Sequence, residues 1–452
     1  MDAIPVIAIF DVGKTNKKLF LFDENYQIVF ERSARFAETI DEDGFSCENI
    51  ESLRLSIFNL LSEVFRIKEY RVKAVNFSAY GASFVYVGND GRPLTPLYNY
   101  LKKYPEALKN QFYNEYGGKD ALSISTASPI LGSLNSGLQI YRIKYERPEL
   151  FAKIANALHL PQYLSFLLTN QPFSELTSIG CHTHMWDFTA NSYHEWIQRE
   201  GIALKLPPIV SSGKVMQALF LGNNYKVGVG LHDSSAALIP YLVNFHEPFV
   251  LISTGTWCIS LNPFDDSPLT IGELKNDCLC FMQYQGKPVK ASRVFSGYEH
   301  EREVKRIAAH FNSNFVKYRN MAFDIDVISG LKKSQPQNLS FEQRELSSFN
   351  DDSEAYHQLI LDLMYQQINS TQLVLKGTMV KRIFVDGGFS KNSIYMHLLA
   401  MAFPVVEVFS ASMAQASAVG VALVIHQEWN KKAIPSNIIE LKYYSSNQGI
   451  TI

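Results

Sequence analysis

The stretch Ile4-Pro5-Val6-Ile7-Ala8-Ile9-Phe10, followed at once by Asp11-Val12-Gly13-Lys14-Thr15-Asn16, decides how the chain is read. An apolar strand delivers a carboxylate, a glycine, a lysine and two small polar residues to a tight turn. A second strand, from Lys18 to Phe22, leaves immediately and closes at Asp23-Glu24-Asn25. Such a turn can hold a phosphate chain: backbone N–H groups point inward, Gly13 permits close approach, and hydroxyl, amide and ammonium groups add donors. Bare phosphate would repel Asp11, so its place there makes sense if it holds a metal ion. The same residues also suit a polar hairpin turn with a buried aspartate, and one glycine-bearing turn does not separate the two readings.

Working outward, 27–32 reads as a third strand, and the short turns make all three antiparallel. Residues 50–65 carry helical spacing (Leu53, Ile57, Leu60, Leu61, Val64), and 72–78 and 84–87 are further strands. This is the pattern of a mixed sheet flanked by helices. From Tyr98 to about Trp186 the chain is aromatic and mostly helical, an insertion that builds one wall of a cleft. Asn244-Phe245-His246-Glu247-Pro248 reads as a crossing point, dividing the chain into domains 1–244 and 245–452. The second half repeats the logic of the first. The strand 248–253 ends in Thr254-Gly255-Thr256, long helices follow near 299–311 and 354–376, and the strand 382–386 breaks at Gly387-Gly388, with Ser390 expected to cap a helix from Lys391. The architecture is duplicated, the sequence is not.

The bulk numbers suit this. The chain has 452 residues, 46% hydrophobic and 19% charged, enough for two globular domains. Lys+Arg 42 against Asp+Glu 44 leaves a net charge of −2, which disfavours nucleic acid as a partner. The five scattered cysteines, Cys47, Cys181, Cys258, Cys278 and Cys280, argue against a disulfide framework. No stretch has the apolar length of a membrane span, and the first residues lack a secretory pattern, so the expected compartment is the cytoplasm. A homodimer is a candidate assembly without a sequence signal of its own.

Four separated stretches share one property. Asp11 to Asn16, Gly230 to Ser235, Ser253 to Thr256 and Asp386 to Asn392 each place glycine with hydroxyl or carboxylate groups just past an apolar strand. Taken together with Gln415-Ala416-Ser417-Ala418-Val419-Gly420-Val421-Ala422 and Glu175-Leu176-Thr177-Ser178, they resemble the FGGY carbohydrate kinases of the actin-like ATPase superfamily, over essentially the whole length. The nearest branch in motif is that of the rhamnulose and fuculose kinases. The resemblance implies an α/β fold of two ribonuclease H-like domains, each a mixed five-stranded-type sheet flanked by helices, with a cleft between. It also implies ATP and Mg²⁺ as cofactors and a small-molecule sugar as substrate.

Residue by residue, the resemblance implies that Asp233 accepts the proton of a sugar hydroxyl as that oxygen attacks the γ-phosphorus. A carboxylate suffices because a loose transition state needs positioning more than a strong base. The alternative for Asp233 is a helix N-cap. Asp11, with Asp233, would hold Mg²⁺. Gly13, Thr15, Asn16, Thr254, Gly255 and Thr256 would line the phosphates, Gly387 and Gly388 would admit the adenosine, and Asn392 would reach toward adenine or stand as a solvated helix residue. Lys14 replaces a hydroxyl residue common in the family, and is either an extra phosphate contact or a lysine facing water. Lys18 stands where relatives often have Arg, a phosphate contact. Gly81 and Ala82 fall where the family's first sugar contacts lie, and Tyr98 is a candidate wall. His232, before Asp233, resembles the deoxyketose branch; as a neutral imidazole it would bond a sugar hydroxyl or else a backbone carbonyl. The expected reaction is phosphorylation of a ketose at C1, L-rhamnulose or L-fuculose first, with xylulose, ribulose or glycerol as alternatives. A non-catalytic ATP-binding sugar sensor is a further alternative. A dehydrogenase is excluded because no Gly-x-Gly-x-x-Gly follows the first strand.

Overall fold

The computed structural model describes residues 3–14, 16–34, 37–220, 224–335, 339–413 and 415–445. Two mixed sheets form its frame. In the first, β1 (Ile4–Val12), β2 (Lys17–Asp23) and β3 (Ile28–Ala34) run antiparallel as the short turns require, and α1 (Ile50–Arg66) returns the chain so that β4 (Tyr70–Ala79) pairs parallel with β1. Outside β4 lie β5 (Val215–Gln217), β6 (Lys226–Gly228) and β7 (Leu231–His232). Strands β6 and β7 both pair parallel with β4 and amount to one line broken at its glycines.

The second sheet repeats this plan. Strands β8 (Phe249–Thr254) and β9 (Cys258–Asn262) are antiparallel, as are β10 (Cys278–Met282) and β11 (Pro288–Val294), with β11 beside β9. Strand β12 (Arg382–Gly387) is parallel to β8, β13 (Glu407–Ser412) is parallel to β12, and β14 (Glu440–Tyr444) closes the edge. The five-strand cores β3-β2-β1-β4-β6 and β11-β9-β8-β12-β13 match in order and direction. Each sheet reaches seven strands rather than five because short edge strands extend it. The central strands are covered on both faces, hence their unbroken apolar runs. The strand Phe84–Val87 leaves the first sheet and pairs instead with Asn156–His159, at the base of the helical insertion, and α2 (Leu160–Thr169) follows.

Between the sheets lie α3 (Asp233–Asn244) and α7 (Ala416–Leu423), and residues of both halves share one core there: Ile7, Phe20, Leu251 and Phe384 pack with Leu238, Ala418 and Val421. The small residues of α7 let the two backbones touch. A Cβ on Gly420 would stand 1.9 Å from the Ala236 carbonyl oxygen. Helices α4 (Ser296–His310) and α5 (Asp352–Leu375) fall close to their expected spans. Helix α6 (Ser393–Ala402) begins later than expected, because residues Phe389–Lys391 form a 3-10 turn and Asn392, not Ser390, is the cap. All five cysteines are free and buried. Among the described residues no helix is long and apolar enough to cross a membrane.

Candidate active site

Strands β1, β4 and β7 end side by side: Val12 pairs with Ala79, and Ala79 with His232. Three expected site segments therefore leave one sheet edge together, namely the turn after Asp11, Tyr80 to Ala82, and Asp233. Ligands of α/β sheets gather outside such carboxyl ends. The turn is closed by Gly13 N–H donating to the Asn16 carbonyl at 2.9 Å, and Asn16 is exposed. Thr15 lies outside the described residues.

The kink that delivers Asp233 is built on one buried amide. A Cβ on Gly228 would stand 2.4 Å from Asn76 Oδ1, the Gly230 N–H donates to that oxygen at 3.1 Å, and Asn76 Nδ2 donates to the Val421 carbonyl of α7 at 2.8 Å. Gly230 has φ +80°, with the Pro161 carbonyl 2.5 Å from where a Cβ would sit. Next, the His232 N–H donates to Thr177 Oγ1 at 3.0 Å, and the Thr177 hydroxyl donates to buried Glu175 at 2.5 Å. Glu175 also accepts from Ser212 at 2.5 Å, and its burial pushes its carboxyl up. The acidic-threonine segment thus clamps the loop that carries Asp233.

Asp233 is the first residue of α3 rather than its N-cap. Its Oδ1 accepts from Ser234 N–H at 2.6 Å and lies 3.3 Å from His232 Nε2, leaving Oδ2 without a partner among the described residues. About a third of the side chain is reached by solvent (33%), yet the surrounding protein pushes its carboxyl up to about 6. The buried His232 ring stacks on Phe281 of β10 at 5.7 Å, and a Cβ on Gly81 would meet it at 3.0 Å. Burial pushes His232 down to about 3, so the ring is neutral at physiological pH. Its Nε2 has the Cys181 sulfur as hydrogen-bond partner at 3.2 Å, and Asp233 Oδ1 lies 3.3 Å away from the same nitrogen.

Asp11 is also pushed up to about 6, by burial first and then by the charge of Asp233. The Ser417 hydroxyl of α7 lies 3.1 Å from each of its carboxylate oxygens. Two mutually repelling carboxylates in one cleft fit a divalent cation. Among the described residues no cluster of three or more His, Cys, Asp or Glu side chains forms a protein cage. That suits a hard cation which takes the rest of its shell from water and phosphate oxygens.

The second expected phosphate-type turn lies at the ends of β8 and β12, where Thr254 pairs with Gly387. The buried Thr254 hydroxyl is engaged internally: it donates to the Asp386 carbonyl at 2.5 Å and accepts from Phe389 N–H at 3.0 Å. Gly387 has φ +91°, and a Cβ there would stand 2.0 Å from the Thr254 carbonyl oxygen, whereas the Cβ direction of Gly388 is open. Gly297, in the first turn of α4, presses on the next loop, its Cβ position 1.8 Å from the Gly255 carbonyl oxygen; Tyr298 N–H donates to the Thr256 carbonyl at 3.2 Å.

Several expected contacts stand elsewhere. Lys14 is not loose in water: its ammonium lies 3.3 Å from Glu48 Oε1, over the rings of Tyr80 and Tyr100. Lys18, across the ladder from Asp11, pairs with Glu31 at 2.6 Å. Tyr98 donates to Glu42 at 2.7 Å and accepts from Arg147 at 2.8 Å in a separate surface cluster; Tyr100, two residues on, is the tyrosine close enough to feel the charge of Asp233. Gly81 serves the His232 ring, and the buried Ala82 (φ 58°) gives its carbonyl to Gln139 Nε2 at 2.6 Å. Asn392 caps α6 through Tyr395 N–H at 2.9 Å and donates to Tyr356 at 2.7 Å, so its amide is committed within the protein. Sequence reading missed Asn76, Glu48, Gly297 and the role of Ser417. A buried polar residue inside an apolar strand was the signal for Asn76; the others had no local one.

Residues 6–239 match the FGGY family of carbohydrate kinases, N-terminal domain, and residues 246–433 match the carbohydrate kinase FGGY, C-terminal domain. The chain belongs to the FGGY carbohydrate kinase family. It is similar to a rhamnulokinase of Halalkalibacterium halodurans, 23% identical over 264 residues, and to one of Oceanobacillus iheyensis, 21% over 266. Each match covers 55% of this chain and 54% of the relative, so this FGGY chain spans about half the length of the curated relatives it matches. Its fold is that of a carbohydrate kinase from Novosphingobium aromaticivorans (TM-score 0.80, 22% identity, 98% of this chain and 96% of that one). It is equally that of a ligand-bound xylulose kinase from Lactobacillus acidophilus (TM-score 0.77, 16% identity, 98% and 94%).

Proposed function

We propose that the protein is an ATP-dependent sugar kinase that phosphorylates a ketose, with a deoxyketose such as L-rhamnulose or L-fuculose, at C1, as the first candidate. The observation that carries this is the unpartnered Oδ2 of Asp233, whose charge Asp11 feels, at a sheet edge shared with one phosphate-type turn, with a second such turn at the ends of β8 and β12. Asp233 takes the proton of the acceptor hydroxyl as that oxygen bonds to the terminal phosphorus of ATP and ADP departs. Ser234 N–H holds Oδ1, so Oδ2 keeps its aim, and His232 beside it stays neutral. Asp11, steadied by Ser417, is the residue that would hold Mg²⁺, with Asp233 near it. The cation supplies charge neutralisation on the phosphate oxygens. Gly13, Asn16, Gly255 and Thr256 line the phosphate path by their backbones, and the open side of Gly388 leaves room for the nucleoside. Closure of the two halves would exclude water, which competes as acceptor. We place the boundary between domains 1–244 and 245–452 at the end of α3.

The rhamnulokinase relatives favour a deoxyketose; the xylulose, gluconate and glycerol kinases among the solved structures of like fold keep other acceptors open. A coupled ADP-release assay across L-rhamnulose, L-fuculose, xylulose, ribulose and glycerol tests the reading. Acceptor-dependent, Mg²⁺-dependent ADP release supports it. Tight ATP binding without turnover on any of them would instead mark a nucleotide-binding sensor.

A further inference from the structure

Lys14 leaves its turn at the sheet edge that delivers Asp233, yet all its contacts lie in the N-terminal half. Its ammonium sits 5.4 Å over the Tyr80 ring and 5.5 Å over the Tyr100 ring, with Glu48 Oε1 at 3.3 Å. Glu48 is buried and accepts from the Tyr80 hydroxyl at 2.9 Å; its Oε2 faces Lys17 at 3.3 Å. The rings of Tyr80 and Tyr100 meet edge-on at 5.9 Å. This cluster is continuous with the reaction centre, because Tyr80 precedes Gly81, whose backbone abuts the His232 ring next to Asp233.

The chemistry of the cluster is that of a carbohydrate reader. An ammonium has three donors, and one contact at 3.3 Å is long for a charge-assisted bond, which closes to about 2.7–2.9 Å. Lys14 therefore keeps donor capacity, and 30% of its side chain is open to solvent. Glu48 adds a carboxylate, and the tyrosines add flat faces for the C–H surface of a sugar. Lys14 and Lys17 stand against Glu48, Asp233 and Asp11, with no surplus of positive charge, which favours a neutral polyhydroxylic acceptor over a sugar acid or sugar phosphate.

We propose that Lys14, held by Glu48 between Tyr80 and Tyr100, binds acceptor hydroxyl groups remote from the one phosphorylated. It thereby selects neutral ketoses of five or six carbons over three-carbon polyols. This rests on the sugar-kinase reading above. On this proposal a ketose engaged at Asp233 extends onto the cluster and a three-carbon polyol does not.

The test is Lys14→Met, which keeps the aliphatic stem between the rings and deletes the donors, with Lys14→Arg as the restoring variant and thermal unfolding to confirm that both fold. Loss of one charge-assisted contact should raise KM for the preferred ketose about tenfold or more. The KM for ATP should be unmoved, kcat should change far less, and the preference for that ketose over glycerol should narrow by the same factor. Lys14→Arg should recover part of the loss. A rise confined to KM for ATP would overturn the proposal and make Lys14 a nucleotide contact; no change in either would overturn it too and leave Lys14 as a structural partner of Glu48. If the wild-type protein turned over no acceptor, the kinase reading would fail on its own. Calorimetric titration of L-rhamnulose, L-fuculose, xylulose and ribulose into wild type and Lys14→Met would still decide the inference, equal affinities overturning it.

Discussion

Replacing Asp233 by Asn should cut turnover steeply while making the ligand-free protein more stable at neutral pH. Burial raises the Asp233 carboxyl from 3.8 to about 6. The folded form therefore holds this proton more tightly than the unfolded form. That contribution to stability is fully present below about 4 and is lost as pH rises through about 6. A shift of about two pKa units corresponds to about 3 kcal/mol at pH 8; solvent reaches part of the side chain, which discounts it to about 1–2 kcal/mol. The carboxamide is isosteric, keeps an oxygen for Ser234 N–H, carries no charge, and relieves Asp11 of its repulsion. Urea unfolding of wild type and Asp233→Asn between pH 4 and 8 should show the variant gaining about 1–2 kcal/mol on wild type as pH rises. Added Mg²⁺ should stabilise wild type more than the variant. Turnover should fall about 10²–10⁴-fold, since an amide cannot take the hydroxyl proton. A variant less stable than wild type at pH 8, with no pH-dependent gap, would refute the claim that two strained carboxylates wait there for a cation.

Three further outcomes follow from the same geometry. Ser417→Ala removes the hydroxyl bonded to both Asp11 oxygens, an interaction of about 1.5–3 kcal/mol, so the Mg²⁺ concentration for half-maximal activity should rise about tenfold or more while KM for the acceptor holds; an unmoved Mg²⁺ titration would contradict it. Asn392→Ala loses a helix cap and should cost about 1–2 kcal/mol in chemical denaturation with KM for ATP changing less than about threefold; a much larger change would put that amide on the nucleotide. Gly420→Ala places a methyl where the Ala236 carbonyl oxygen is 1.9 Å away, and should destabilise by about 3 kcal/mol or more, whereas a near-neutral effect would refute the backbone contact of α3 and α7.

The frame of this molecule is legible in the sequence because its signals are local. An apolar run ending in Asp11-Val12-Gly13, and again in Ser253-Thr254-Gly255, marks strand and turn by period and by glycine, and the repeat of that order implies two like sheets. What is not legible depends on partners distant in the chain. Lys14 meets Glu48 from a three-residue strand 34 positions on, and Ser417 meets Asp11 across 406 positions, so neither pairing leaves a local trace. Asn392 carries the residue type of an adenine contact, but a 3-10 turn ahead of it shifts the start of α6 and turns the same amide into a cap. Tyr98 and Tyr100 are alike in sequence. The Arg147–Glu42 pair draws one outward while the Tyr80 ring holds the other inward, a choice made by tertiary neighbours alone.

The most direct measurement follows the phosphorus itself. Phosphorus NMR of ATP, Mg²⁺ and the best acceptor, with wild type and with Asp233→Asn, separates transfer to sugar from hydrolysis. A kinase working through Asp233 gives a sugar-phosphate resonance with wild type in step with ADP. Asp233→Asn gives none, although calorimetry shows it still binding ATP. Inorganic phosphate released without any sugar phosphate, or equal transfer by the variant, would contradict phosphoryl transfer to a sugar hydroxyl with Asp233 as proton acceptor.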